Sequence, residues 1–503
     1  MHAPSRSLRR TAFLLVVLGA IALRVFPQSR TLTILHTNDM HAGFIPHEAI
    51  WVKKTPKPMI GGFRELFFVS DSIKQSVGPV LMLDAGDVMT GNPITEKMYD
   101  GASGGALFAM MNMVGYDAWC FGNHDLDISQ ENLRALVRIA RFPSLSANLV
   151  DSSGGYPLGN QPYVVIERGG IRVGIVGIMS QELYSLVHQG NLVGLRVLSP
   201  AATVQRFIDA LDPATDLLIA LTHEGVEEDS LLATQVHGLD IIVGGHSHTR
   251  LRSPILVNGV IIVQTGSNVE NLGELNITVE GDRVTSFDGH LIPLWAGGSR
   301  PPSPVTHLTD SMQAVIEKEY SEVLATLNKD WIRRDAQSPI GTFIAEAQRV
   351  AVSADVGFMN THGIRRDVPA GPITKRILFE VLPFRNLLTT FQLTGRELRS
   401  VMTFAIEQKF AVQVAGLTCR WRRRPDGTAD IRAIEVGGRP LEDDKTYVCA
   451  ASDYLVGEAK RLLGIEVRQP ITLQRTLFAA VEEAVRAAKS ITPRVLYTIQ
   501  EDK

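Results

Sequence analysis

The sequence predicts an α/β fold divided into two domains. Three observations predict it: short apolar runs that each end in a polar cluster, helical patterns between those runs, and one strong breaker segment near residue 297. Continuous apolar runs bounded by turn residues suit strands buried on both faces. Strands alternating with helical segments imply an α/β architecture.

At 503 residues the chain is too long for one ordinary domain, since domains hold roughly 100–200 residues. Apolar residues at 45% and charged residues at 20% exclude a mainly disordered chain. The 50 basic and 53 acidic residues leave a net charge of −3, which supplies no electrostatic reason to expect a nucleic-acid polymer as partner. Cys120, Cys419 and Cys449 are too few for a disulfide framework, and nothing in the sequence brings the last two together.

Residues 1–28 read as a secretory signal peptide. Arg6, Arg9 and Arg10 precede the apolar run Ala12–Leu23, and Ala20-Ile21-Ala22 resembles a cleavage site. The run is shorter than the roughly 20 residues a membrane span needs. The expected product is exported, periplasmic or extracellular, with no membrane association after cleavage.

The first domain is expected over residues 31–297. Thr31–Leu35 runs into His36-Thr37-Asn38-Asp39-Met40-His41. Val80–Leu83 runs into Asp84-Ala85-Gly86-Asp87, and Asp117–Phe121 into Gly122-Asn123-His124-Asp125. Leu217–Leu221 runs into Thr222-His223-Glu224, and Ile241–Val243 into Gly244-Gly245-His246-Ser247-His248. Helical patterns lie at Glu131–Ala140 and Ala201–Leu211. In open α/β sheets ligands gather beyond the carboxyl ends of strands, where all five clusters sit. Gly297 to Pro304 is the breaker segment. A linker over 298–330 follows, with a helix expected at Asp310–Leu327 from the spacing of Met312, Val315, Ile316, Val323, Leu324 and Leu327. The second domain is expected over 331–503.

The five clusters share one ligand chemistry. Imidazole and carboxylate groups suit zinc, manganese, cobalt or similar divalent ions, and a carboxylate can bridge two of them. Asp39, His41, Asp87, Asn123, His223, His246 and His248 are too many for one tetrahedral ion and suffice for two. Two ions about 3.5–4 Å apart suit phosphoester hydrolysis.

These residues resemble the metallophosphoesterases of the 5′-nucleotidase family, which includes UDP-sugar hydrolases. The resemblance extends through Gly61-Gly62-Phe63, Val263-Gln264-Thr265-Gly266, Asn360-Thr361-His362-Gly363-Ile364-Arg365 and Leu382-Pro383-Phe384. It implies a four-layer αββα catalytic domain and a smaller α/β substrate-binding domain. Asp39, His41 and His248 would hold one ion, Asn123, His223 and His246 the other, with Asp87 between. His124 and Asp127 would form the catalytic pair, and Asp84 would shape its turn. Arg365 and Arg334 would clamp phosphate, Asn360 and Gly363 would contact substrate, and Phe384 and Tyr454 would wall the base. The reaction implied is in-line attack of a metal-bound hydroxide on a nucleoside 5′-monophosphate. The chain departs from the family after Tyr454, where Val456-Gly457-Glu458-Ala459 replaces a Gly-Gly-Asp segment that contacts ribose. His362 likewise replaces a glycine. Those departures keep open a cyclic-nucleotide phosphodiesterase, a UDP-sugar hydrolase, a sulfur-ester hydrolase, or a nucleotide-binding protein without turnover. His47, His188, His237, His290 and His307 read as surface or loop residues. The segment Ala49–Met59, with Trp51, Lys53, Lys54 and Lys57, reads either as a border of the site or as a solvated loop.

Overall fold

The computed structural model describes residues 29–298, 300–333, 337–408, 412–494 and 498–502. The expected signal peptide and Arg334 lie outside them. The first domain is built on two six-stranded sheets. In one, Arg30–Thr37, Val80–Asp84, Ala118–Cys120 and Ser144–Leu145 run parallel, and Asn271–Glu280 and Arg283–Pro293 close the edge antiparallel. In the other, Ile171–Met179, Leu217–His223, Ile241–Val243 and Val260–Val263 run parallel between two antiparallel edges.

The burial pattern explains the layering. Ile34, Leu83, Cys120, Ile175, Ile219 and Val243 pack in a core between the sheets. The alternate residues of the same strands face outward. Leu35, Met82 and Trp119 meet the helices Phe63–Ser76 and Gly105–Val114, while Leu218, Ala220 and Ile242 meet Pro200–Leu211 and Val226–Gln235. Both faces of each central strand are apolar, so the strands read as unbroken hydrophobic runs. The expected four-layer arrangement is what forms. Parallel pairing also fixes where the chemistry lies, because Thr37 is level with Asp84 and Met179 with His223 at the carboxyl ends.

The linker differs from expectation. The helix spans Pro304–Tyr320, capped by the Ser303 hydroxyl with proline in its first turn, rather than 310–327. Val323–Leu327 is a strand paired with Gly371–Thr374 in the second domain. The apolar spacing misleads because Val323, Leu324 and Leu327 also suit a strand, and β-branched Val323 favours one. The helix is not a free connector. Val305, Met312 and Ile316 pack into the first domain's core, a burial of about 1.5–3 kcal/mol per side chain.

The second domain centres on a five-stranded sheet in the order Val412–Ala415, Val356–Asn360, Thr446–Ser452, Leu387–Thr394, Ile471–Thr476. Pro339–Ala351 and Leu477–Ala488 cover one face, and Gly395–Glu407 covers the other. Cys419 and Cys449 are free thiols buried in its core.

Candidate active site

Two groups of ligand-type side chains converge at the strand ends: Asp39, His41 and His248, and Asp87, His223 and His246. Within the first, His41 Nε2 lies 2.9 Å from His248 Nε2, and Asp39 Oδ1 lies 3.3 Å from His248 Nε2. Within the second, His223 Nε2 lies 3.1 Å from Asp87 Oδ2. The tautomers follow from the backbone. His41 Nδ1 donates to the Thr90 carbonyl at 3.1 Å and His223 Nδ1 to the Ala85 carbonyl at 2.7 Å. Each ring therefore turns the lone pair of its Nε2 toward other acceptors. Such clusters of acceptors could hold cations between them, provided that atoms remain free to bind them.

The unpartnered atoms fit that requirement. Asp39 Oδ1, Asn123 Oδ1 and His223 Nε2 are buried without a hydrogen-bond partner. Isolated buried polar atoms are costly, and a metal ion would satisfy all three. The backbone is also bent to aim the ligands. Asp39, His41, Asp87, His246 and His248 all have positive φ, between 46° and 77°, a region costly for residues with a Cβ and characteristic of functional sites. Outer contacts hold this shape. Asp39 Oδ2 accepts from the His246 N–H at 2.8 Å, and Gln264 Oε1 accepts from Thr249 N–H at 2.6 Å.

Asp84 takes the turn role expected of it, accepting from Thr37 Oγ1 at 2.6 Å and Gly86 N–H at 3.0 Å. Asp125 does similar work that the sequence did not single out. Its carboxyl accepts from the N–H groups of Asp87, Met89 and Gly122. Burial, followed by the Asp87 carboxylate, pushes its pKa up to about 7.

His124 stands at the edge of the metal groups. Its N–H donates to Asp87 Oδ1 at 2.7 Å, and its Nδ1 lies 2.7 Å from Asp127 Oδ2. Thr90 Oγ1 donates to the same Asp127 oxygen at 2.7 Å, a third member of the chain that no motif marked. Burial disfavours the charged ring, but Asp127 and Asp87 outweigh it and raise the His124 pKa. The structure thus brings all nine first-domain candidates together.

The second domain supplies the other wall. Arg365 Nη2 lies 3.2 Å from His41 Nε2, and its guanidinium sits 5.8 Å from the Phe384 ring centre. The Phe384 ring lies 5.5 Å from that of His124. Asn360, Gly363 and Tyr454 line the same cavity. Asn360 Oδ1 is buried without a partner. A Cβ on Gly363 would lie 2.8 Å from the Asn360 amide group, so a larger residue there would shift that side chain. Tyr454 bridges the domains, its hydroxyl donating to the Ser185 carbonyl at 2.8 Å. Arg334 lies outside the described residues. Glu458 pairs with Arg461 at 3.1 Å and is not among the residues lining the cavity.

His47 differs from the surface reading. It is half-buried, lines the cavity, and bonds Glu270 Oε1 at 3.0 Å. Its place on a short strand pairing with Met59–Ile60 draws it inward, which a lone histidine in a loop-like sequence does not announce.

Comparison with known proteins agrees with this geometry. A calcineurin-like phosphoesterase family profile matches residues 32–250, and a 5′-nucleotidase C-terminal domain profile matches 321–462. The chain thus carries a calcineurin-like phosphoesterase domain followed by a 5′-nucleotidase C-terminal domain. It is similar to the 5′-nucleotidase of Vibrio cholerae, 28% identical over 83% of each chain. It is also similar to UshA of Escherichia coli, 25% identical over 88% of each. The structure of a Thermus thermophilus 5′-nucleotidase precursor superposes with a TM-score of 0.83 at 25% identity, covering 94% of this chain and 99% of that one. With these two domains the chain is a metal-dependent phosphomonoester hydrolase, and the divalent metals of metallophosphoesterases match the two candidate ligand groups. Among the described residues no helix is long and apolar enough to cross a membrane.

Proposed function

We propose that this chain releases phosphate from nucleoside 5′-monophosphates as an exported 5′-nucleotidase with two divalent ions. The observation that carries the reading is Arg365 and Phe384 of the second domain standing against His41 and His124 of the first. One ion would be held by Asp39, His41 and His248, the other by Asn123, His223 and His246, with Asp87 between. The ions supply Lewis-acid stabilisation of the phosphoryl oxygens and a nucleophile drawn from water at neutral pH.

The remaining steps belong to the chain. Arg365 offers two parallel N–H donors to phosphate oxygens, with Arg334 as a second cation. His124 holds a proton on Nδ1 against Asp127 and directs Nε2 at the transferring group, where the charged ring stabilises developing negative charge. Phe384 and Tyr454 offer apolar faces to the base, and Asn360 a free amide oxygen. The signal-like residues 1–28 support export.

A second reading, a related phosphoester hydrolase of other specificity, is favoured by one observation. The segment after Tyr454 places no carboxylate in the cavity, because Glu458 is held by Arg461. Phosphate release from AMP, UMP, UDP-glucose, 2′,3′-cyclic AMP and p-nitrophenyl phosphate separates the two. The measurement is made with manganese, with zinc and with chelator, and H124A serves as control. Chelator-sensitive, His124-dependent release from AMP or UMP is expected. Release from only the cyclic or sugar nucleotide would favour the second reading, and release from none of the nucleotides would discard both.

A further inference from the structure

The central cavity is larger than one mononucleotide requires. Its volume is about 1740 Å³, against roughly 300–1,000 Å³ for typical small-molecule sites. A phosphate monoester carries one organic group, and the Phe384 and Tyr454 side of the cavity accounts for it. The residues beside His248 remain unused. There the lining includes His47, Ile50, Trp51, Arg250 and Glu270.

This region is organised around an aromatic ring. Arg250 lies two residues beyond His248, and its guanidinium sits 4.9 Å from the Trp51 ring centre. Glu270 is buried and holds Arg250 from behind while accepting from His47, so the cation beneath the ring is fixed in place. Trp51 nevertheless remains 48% exposed. An indole resting on a pinned cation, with much of its surface open, is an arrangement suited to stacking a second flat ring. The lining here carries both signs, with Glu48 and Glu270 as well as Arg250. Lys53 and Lys54 are exposed on the same loop, outside the cavity lining. An exposed indole held on a guanidinium at the cavity wall matches a nucleobase.

We propose that Trp51 on Arg250 forms a second base-stacking subsite, which takes a second nucleoside unit joined to the scissile phosphate. The inference rests on the reading that this phosphate lies between the ligand groups and Arg365. The ligand is then a substrate with a nucleoside on both sides of phosphorus, linked either as a diphosphate or as a 3′,5′-phosphodiester. In its hydrolysis water oxygen forms the new P–O bond and one P–O bond to the departing group breaks. One proton of that water ends on the departing oxygen or in solvent.

The test uses the full chain loaded with manganese and three substrates: AMP, P1,P2-di(adenosine-5′) diphosphate, and adenylyl-(3′,5′)-adenosine. Each is measured with wild type, W51A and W51F; a compound that is not cleaved is measured as an inhibitor of AMP hydrolysis. For one two-nucleoside compound, kcat/KM relative to AMP is expected to fall about tenfold in W51A, through KM, and to recover in W51F, as expected of one stacked base. The compound that responds identifies the linkage. An unchanged ratio for both compounds, with inhibition equally unaffected, overturns the subsite and leaves the nucleotidase reading standing. A Trp51-dependent two-nucleoside substrate without AMP hydrolysis would instead keep the subsite and overturn that reading.

Discussion

Replacing Gly122 with alanine perturbs the proposed bridging ligand without touching any ligand residue. The Gly122 backbone has φ of −102°, which any residue adopts, so the effect is steric alone. An added Cβ would lie 2.2 Å from Asp87 Oδ1 and 2.3 Å from the Asp87 backbone nitrogen. Comfortable non-bonded contact begins near 3.5 Å, so Asp87 must retreat by more than about 1 Å. His124 moves with it, since its N–H is bonded to that same oxygen. A misplacement of about 1 Å in a catalytic array costs on the order of 100-fold in rate, and overpacking adds about 1–3 kcal/mol of destabilisation. The assay is kcat for AMP, with metal content by elemental analysis and the melting temperature to confirm folding. G122A with wild-type kcat and full metal content would refute the proposed place of Asp87 between the ions.

Three further outcomes follow from the same geometry. D127N removes the charge facing His124 Nδ1 and should lower kcat about 10- to 100-fold with metal content unchanged; a drop in metal content instead would assign Asp127 to the ligand set. R365K keeps the charge but loses the paired donors, so AMP hydrolysis should fall at least about tenfold, and full activity would remove Arg365 from phosphate binding. Metal addition to the chelated protein should raise thermal stability, by about 2.7 kcal/mol at 100 times the dissociation constant, because three buried unpartnered atoms gain a cation. A melting temperature indifferent to metal would contradict that fit.

The convergence of the first-domain candidates was legible because their motifs are local. Asp39 with His41, Asn123 with His124, and His246 with His248 each lie within three residues, directly after a strand whose apolar run marks its end. What was not legible depends on distant residues or on backbone shape. The positive φ angles of Asp39, Asp87 and His246 carry no glycine signature. Thr90 reaches Asp127 across 37 positions, and His47 is drawn inward by Glu270, 223 residues away. The linker helix was misbounded because its last apolar residues serve a strand of the second domain. Nor does any motif encode how the domains face each other. Phe384 meets His124 through scattered ties such as Arg385 to Glu96 and Tyr454 to Ser185.

The central claim is that two ions, held by the two ligand groups, drive hydrolysis of a nucleoside 5′-monophosphate. Titrating manganese into the chelated full chain while recording phosphate release from AMP tests it most directly. The account predicts no release without metal and full activity only after two equivalents are bound. Hydrolysis that persists in chelator, or that is complete at one bound equivalent, would contradict it.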